Sequence, residues 1–243
     1  MRPRLLRACL PFAASMLVPA IALPAQGLVP PFRVGITNPL PGLSAPAVPG
    51  TNVQQVHFVH LASDPPNVFL CSMTVAGLAA QYGGVGSTDL LSGRFDVLTN
   101  TFTPNSEAAA LNTTGTEFGL MLHHTALYAV FDRLPGPPWL ASRAAVGMPW
   151  QIVGPITPLP PQSNYDPAPA DFNGQTHLLH VLGTSIAMTP INLTNASLTG
   201  PSVIVINQAR AGSTANSPTP VLDTMGQLIG FSHHDVLASD NDH

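Results

Sequence analysis

Proline and glycine fall so densely along this chain that a long helix has no room to form. There are 27 prolines and 20 glycines in 243 residues. Proline removes a backbone donor and clashes with the preceding helical turn, and glycine costs about 1 kcal/mol there relative to alanine. Threonine and asparagine fill much of the remainder, and both lower helix propensity. Only Ser106–Leu111 (SEAAAL) reads as helical, and it is short. Between the breakers lie short runs rich in Val, Leu, Ile, Phe and Thr: VHFVHLA, VFLCSMTV, RFDVLTNTF, EFGLMLHH, ALYAVFD, WQIVG, THLLHVLG, SIAMTPI, SVIVINQ and QLIGFSHH. These read as strands of a large all-β protein.

Some of these runs repeat. Gln55-Val-His57-Phe-Val-His60 matches Gln175-Thr-His177-Leu-Leu-His180. Asn164…Asp171-x-x-Gly174-Gln175 matches Asn216…Asp223-x-x-Gly226-Gln227 at identical spacing, and Thr116–His124 is a looser copy. An Asp-x-x-Gly turn that feeds an apolar strand, recurring at about fifty residues, resembles a β-propeller blade. A blade needs four antiparallel strands, and FGLMLHH, ALYAVFD, PWLASR and WQIVG supply four in order. The chain has no Gly-His…Trp-Asp signature, kelch double glycine or Asp box, so the resemblance implies an architecture and names no propeller family. A β-sandwich with two similar hairpins would give the same matches and stands as the alternative. The chain stops at ASDNDH soon after a strand start. A closed ring therefore calls for further strands, either from the N-terminal arm or from a longer gene product.

The N-terminus carries a different signal. MRPRLLR is positive, ACLPFAASMLVPAIAL is apolar and uncharged, and small residues follow in AIALPAQG. That is the three-part pattern of a secretory leader, with cleavage after Ala22 or Ala25. The apolar run is broken by Pro11 and Pro19 and falls short of the ~20 residues that span a bilayer. The expected organisation is a leader over 1–25, a Pro/Gly-rich linker or arm over 26–52, and a β-repeat domain over 53–243. The destination is secreted, periplasmic or at the cell surface. Loss of the leader leaves five arginines, no lysine and twelve acids, a formal charge of −7 with histidine neutral. No basic stripe remains to neutralise phosphates, which excludes nucleic acid and an anionic membrane surface as partners. Cys9 leaves with the leader, so Cys71 has no intramolecular partner and reads as a small buried hydrophobe.

Candidate chemistry is thin. His123-His124 and His233-His234-Asp235 suggest metal ligands, but neighbours on a strand point to opposite faces, and no His-Glu-x-x-His occurs, so no metal or other cofactor is expected. Asp240-Asn-Asp242-His243 reads as a solvated tail. Glycoside hydrolysis needs two carboxyl groups flanking one bond. The only glutamates are Glu107 and Glu117. Asn164-Tyr165-Asp166-Pro167 before an Asn-Gly-Gln turn resembles a blade opening of the five-bladed glycosidases. That resemblance implies Asp64 or Asp166 as base and Glu117 as acid, although Asp before Pro also starts turns. There is no Gly-x-Ser-x-Gly elbow, and Gly83-Gly84-Val85-Gly86 lacks the lysine of a phosphate loop. Trp139, Trp150 and Tyr165 are candidate stacking surfaces for a sugar, with packing between blades as the alternative. Asn112, Asn192 and Asn195 begin Asn-x-Ser/Thr sequons. The expected function is an exported, non-catalytic binding or structural module for a glycan or a protein, and the alternative is a propeller-type glycoside hydrolase with an acidic axial site.

Overall fold

The computed structural model describes residues 52–61, 63–159, 167–207, 213–223 and 225–237, with the backbone course alone at 213–217 and 232–237. The leader, nearly all of the 26–52 arm, Tyr165, Asp166 and the Asp240–His243 tail lie outside these residues.

The strands form successive antiparallel meanders. The first contains β1 (Asn52–Val59), β2 (Val68–Ala76), β3 (Thr88–Asp96) and β4 (Thr101–Asn105), each paired with the next. The second contains β5 (Thr116–Leu122), β6 (Tyr128–Leu134), β7 (Pro138–Ser142) and β8 (Gln151–Pro155) in the same order. The third runs β9 (Ala168–Phe172), β10 (Gln175–Leu182) and β11 (Ser185–Asn192), and β11 then takes both β12 (Ser197–Leu198) and β13 (Val203–Ile206). A long hairpin of β14 (Ser213–Leu222) and β15 (Leu228–Leu237) follows. The first strands lie side by side: β1 next to β5, β5 next to β9, β9 next to β14. The fold is all-β and propeller-like. No α-helix occurs among the described residues, and the expected SEAAAL helix is a single 3-10 turn at Ala109–Leu111.

Side-chain alternation shows why the meanders stack. In β6, Ala129, Val130 and Phe131 are all fully buried. Ala129 and Phe131 join a core with Leu90, Leu120 and Trp150, while Val130 joins Leu140, Ile156, Leu178 and Ile191. One face of the second meander thus packs towards the first, and the other towards the third. A strand buried on both faces reads as a continuous apolar run, as ALYAVF does. In β3, Leu91 and Leu90 likewise enter two different cores.

The first two meanders share a single parallel backbone bridge, Thr88 to Thr116. Side chains supply further links. On β2, Cys71, Met73 and Val75 face one core, so Ser72 and Thr74 point the other way. Ser72 Oγ donates to the Leu120 carbonyl at 2.5 Å, and Thr74 Oγ1 accepts the Gly119 N–H at 2.9 Å. These bonds fall where the β5–β6 register slips between Phe118 and Met121.

The structure corrects one repeat. Gln55–His60 spans β1 and the residue beyond it, whereas Gln175–His180 lies on β10, a second strand. Their likeness therefore joins positions of unlike rank. Asp171–Gln175 and Asp223–Gln227 do correspond, since each forms a hairpin between a first and a second strand. RFDVLTNTF, read as one strand, contains the β3–β4 turn.

Candidate functional site

All four hairpins that join a first strand to a second gather at one end. Leu61 of the β1–β2 hairpin packs in one cluster with Ala126 of the β5–β6 hairpin. The β5–β6 hairpin reaches Asp171 at the end of β9, and Asp171 makes a parallel bridge with Gln227 of the β14–β15 hairpin.

At this junction His123, His124 and Asp171 converge. β5 ends at Leu122, so the two histidines occupy the hairpin and escape the alternation of a strand. The His123 N–H closes the hairpin on the Tyr128 carbonyl at 2.9 Å, and Ala126 takes a left-handed conformation at φ 53°. Both rings then face β9, with centroids 4.2 Å apart. His123 Nε2 lies 3.1 Å from one Asp171 oxygen, and His124 Nε2 lies 2.8 Å from the other. Thr176 Oγ1 donates to Asp171 Oδ1 at 2.6 Å, and Thr125 Oγ1 sits 2.9 Å from His123 Nδ1. The fourth hairpin completes the enclosure. A Cβ on Gly226 would lie 2.2 Å from His124 Nδ1, and Gly226 has φ +80°. Asp223 shapes that turn by accepting the Met225 and Gln227 N–H groups at 2.8 Å each.

The electrostatics follow from burial and partners. His123 is held below the ordinary imidazole range, first by burial and also by His124, against the pull of Asp171. Burial pushes the Asp171 carboxyl up, but hydrogen bonds from Thr176, His123 and His124 outweigh it and hold the group below the usual carboxylate value. The cluster offers two imidazole nitrogens and a carboxylate, all within 4.8 Å of one another. That donor set suits a borderline divalent metal. The expectation of no metal ligands assumed strand alternation at His123-His124, and the hairpin removes that assumption.

Asp64 and Glu117, two of the residues read from the sequence as catalytic, do not meet. Asn52, Ala76, Thr88 and Thr116 lie across one end of β1, β2, β3 and β5, so β1 and β5 run parallel. Glu117 follows Thr116 at that end, whereas Asp64 lies beyond Val59 at the hairpin end. Six strand residues separate the two levels by about 20 Å, whereas a base and an acid sit roughly 5–9.5 Å apart. Asp64 and Glu117 are therefore corrected as a catalytic pair. Each instead holds an arginine. Asp64 pairs with Arg94 at 2.7 Å, and buried Glu117 accepts from Arg133 Nε at 3.1 Å and Thr113 Oγ1 at 2.6 Å. Glu107, the other glutamate, pairs with Arg143.

The tryptophans are also accounted for. Trp150 is fully buried in the core between the first two meanders, with the Arg143 guanidinium 4.2 Å from its ring centre, so it presents no stacking surface. Trp139 is half-buried and lies under Arg133 at 4.7 Å. Asn112 is spent inside the fold, with Nδ2 donating to the Gly83 and Leu90 carbonyls and Oδ1 accepting the Leu90 N–H. The Gly83–Gly86 loop is held by Asp89, which accepts the Val85 and Gly86 N–H groups at 3.3 and 3.0 Å. Cys71 is buried, and burial pushes its thiol far above the ordinary range.

No family model matches the chain, and no curated protein does. Among solved structures, the native arabinanase Arb43A of Bacillus subtilis is similar at TM-score 0.46 and 13% identity, over 75% of this chain and 81% of the other. An α-L-arabinofuranosidase of Clostridium thermocellum is similar at TM-score 0.43 and 12% identity, over 74% of this chain and 72% of the other. At such scores the likeness decides nothing about chemistry.

Proposed function

We propose that this chain is an exported, non-catalytic module that recognises a glycan or a protein with the hairpin end of its propeller-like domain. The observation that carries this reading is the state of its acids. Both glutamates are tied to arginines, and Asp64 is tied to a third. Glu117 lies at the opposite strand end from Asp64, about 20 Å away in level, whereas hydrolysis of a glycosidic bond demands two carboxyl groups flanking one bond. The leader over 1–25 supplies the route of export, and 26–52 serves as an arm ahead of the domain.

The second reading, a propeller-type glycoside hydrolase, rests on one specific observation. Asp64 and Asp171 stand at the same hairpin end, on the first and third meanders. Asp166 just precedes β9 in sequence and would serve as a further acid. The two readings separate in a paired assay. The mature protein is screened on a glycan array and against a panel of chromogenic glycosides. Binding with no release of chromophore is the expected result. Turnover that disappears in Asp166→Asn or Asp64→Asn would overturn the non-catalytic reading. Silence in both assays would remove the glycan and leave a protein partner, sought by cross-linking at the hairpin end.

A further inference from the structure

We infer that His123, His124 and Asp171 form a binding site for a divalent transition-metal ion, with zinc the best match, which joins the second meander to the third. The ligand types are those that zinc and its neighbours prefer, two neutral imidazoles and one carboxylate. Tetrahedral zinc with bonds of about 2.0–2.1 Å sets its ligands roughly 3.4 Å apart. The nitrogens lie 3.1 and 2.8 Å from the nearer Asp171 oxygens. Those two contacts would open by a few tenths of an ångström and the widest separation among the donors, 4.8 Å, would close by about 1 Å as the ion enters.

The supporting shell is in place. Thr125 Oγ1 lies 2.9 Å from His123 Nδ1 and would accept its proton in the tautomer that leaves Nε2 free to bind metal, a tautomer that gives up the long 3.4 Å contact from the Thr125 N–H to Nδ1; Thr176 orients the carboxylate. Gly226 leaves the His124 ring its space. There is also a way in: His123 is buried, but the side chains of His124 and Asp171 are 26% and 19% exposed. Three protein ligands with one side open leave a coordination position for water or for a donor group of a bound partner. Burial of the bare cluster places one carboxylate between two rings, whereas the ion would use all three donors at once. The site stands independently of the glycan or protein reading, since nothing in it depends on what the hairpin end recognises.

The test uses the mature chain purified without a histidine tag. Zinc is titrated calorimetrically, and cobalt(II) is followed by its visible d–d absorption. One saturable equivalent of zinc is expected, with cobalt bands of a low-coordinate site containing nitrogen and oxygen ligands. His124→Ala and Asp171→Asn should each abolish that equivalent while retaining the far-ultraviolet circular dichroism of the parent. Thr125→Ala should weaken it about 10-fold, because His123 Nδ1 loses the hydroxyl that fixes its ring. If Asp171→Asn fails to fold, the partly exposed His124→Gln substitution carries the test alone. Absence of a saturable equivalent in the parent chain would overturn the inference. So would retention of full affinity in a folded His124 variant, which would place the ion elsewhere, such as near His233 and His234.

Discussion

At the scale of single residues, two glycines in the same motif have different duties. Gly174 and Gly226 both close a hairpin at positive φ, +74° and +80°. A Cβ at Gly174 meets nothing within 4 Å, whereas one at Gly226 runs into the His124 ring. Gly174→Ala should cost about 1 kcal/mol of backbone strain, and Gly226→Ala about 1–3 kcal/mol because the ring must also move. Urea denaturation measures both, and equal losses would contradict the contact. His180 shows a different constraint. It is buried, with Nδ1 donating to the Val181 carbonyl at 3.1 Å and Nε2 2.9 Å from Thr189 Oγ1. Burial lowers its pKa, and the Val181 bond offsets only part of that. The unfolded chain protonates this histidine near pH 6.5, so below that pH the unfolded state binds more protons than the folded one. The contribution of His180 to stability is therefore complete above about pH 6.5 and is lost as pH falls towards the lower folded value. The urea midpoint should fall between about pH 7 and pH 5, and His180→Gln should flatten that slope. An unchanged slope in the variant would assign the loss to other groups.

At the scale of elements, the joint between the first two meanders depends on polar side chains on an otherwise apolar strand. Thr74→Val keeps the shape but leaves the Gly119 N–H without the oxygen that it now meets at 2.9 Å. An unsatisfied buried donor costs roughly 1–3 kcal/mol. The expected readout is a loss of that size in denaturation, with faster exchange of the Gly119 amide; a neutral result would mean that water reaches the site. The run VFLCSMTV was legible as a strand, and its alternation of Cys-Met-Val with Ser-Thr was visible too. What β2 met on its polar face was not visible, because the partner lies 45 residues away across a register slip. The histidine pair shows the same limit. The rule for strands sets His123 and His124 on opposite faces, whereas the strand end at Leu122 depends on pairing with β6. In the sequence, Asp171 shows only as part of an Asp-x-x-Gly turn motif.

At the scale of the whole molecule, stability comes from meanders that bury each other's faces, with no disulfide among the described residues. Phe131 belongs to the core facing the first meander, and Leu178 to the core facing the third. Phe131→Ala should cost about 3–5 kcal/mol and Leu178→Ala about 2–5 kcal/mol. Calorimetric scans of the two variants should show both transitions lowered as single events. If only part of the transition moved, the meanders would be unfolding separately, against the interlocked cores described here. The four-strand order from FGLMLHH to WQIVG is legible in the sequence, since each run is short, apolar and bounded by breakers. The repeat phase was not, because first and second strands share the same composition and only pairing ranks them.

By itself, the sequence determined that this chain is rich in helix breakers and in short β-forming runs, carries more acids than bases with no lysine, and holds only two cysteines. Those properties are sums over local residues: breaker density, alternation and charge. The tertiary structure alone decided which acids are occupied by arginines, that Trp150 is core, and that two adjacent histidines meet an aspartate from another meander. Such facts depend on contacts between segments far apart in the chain, and local propensity has no access to them.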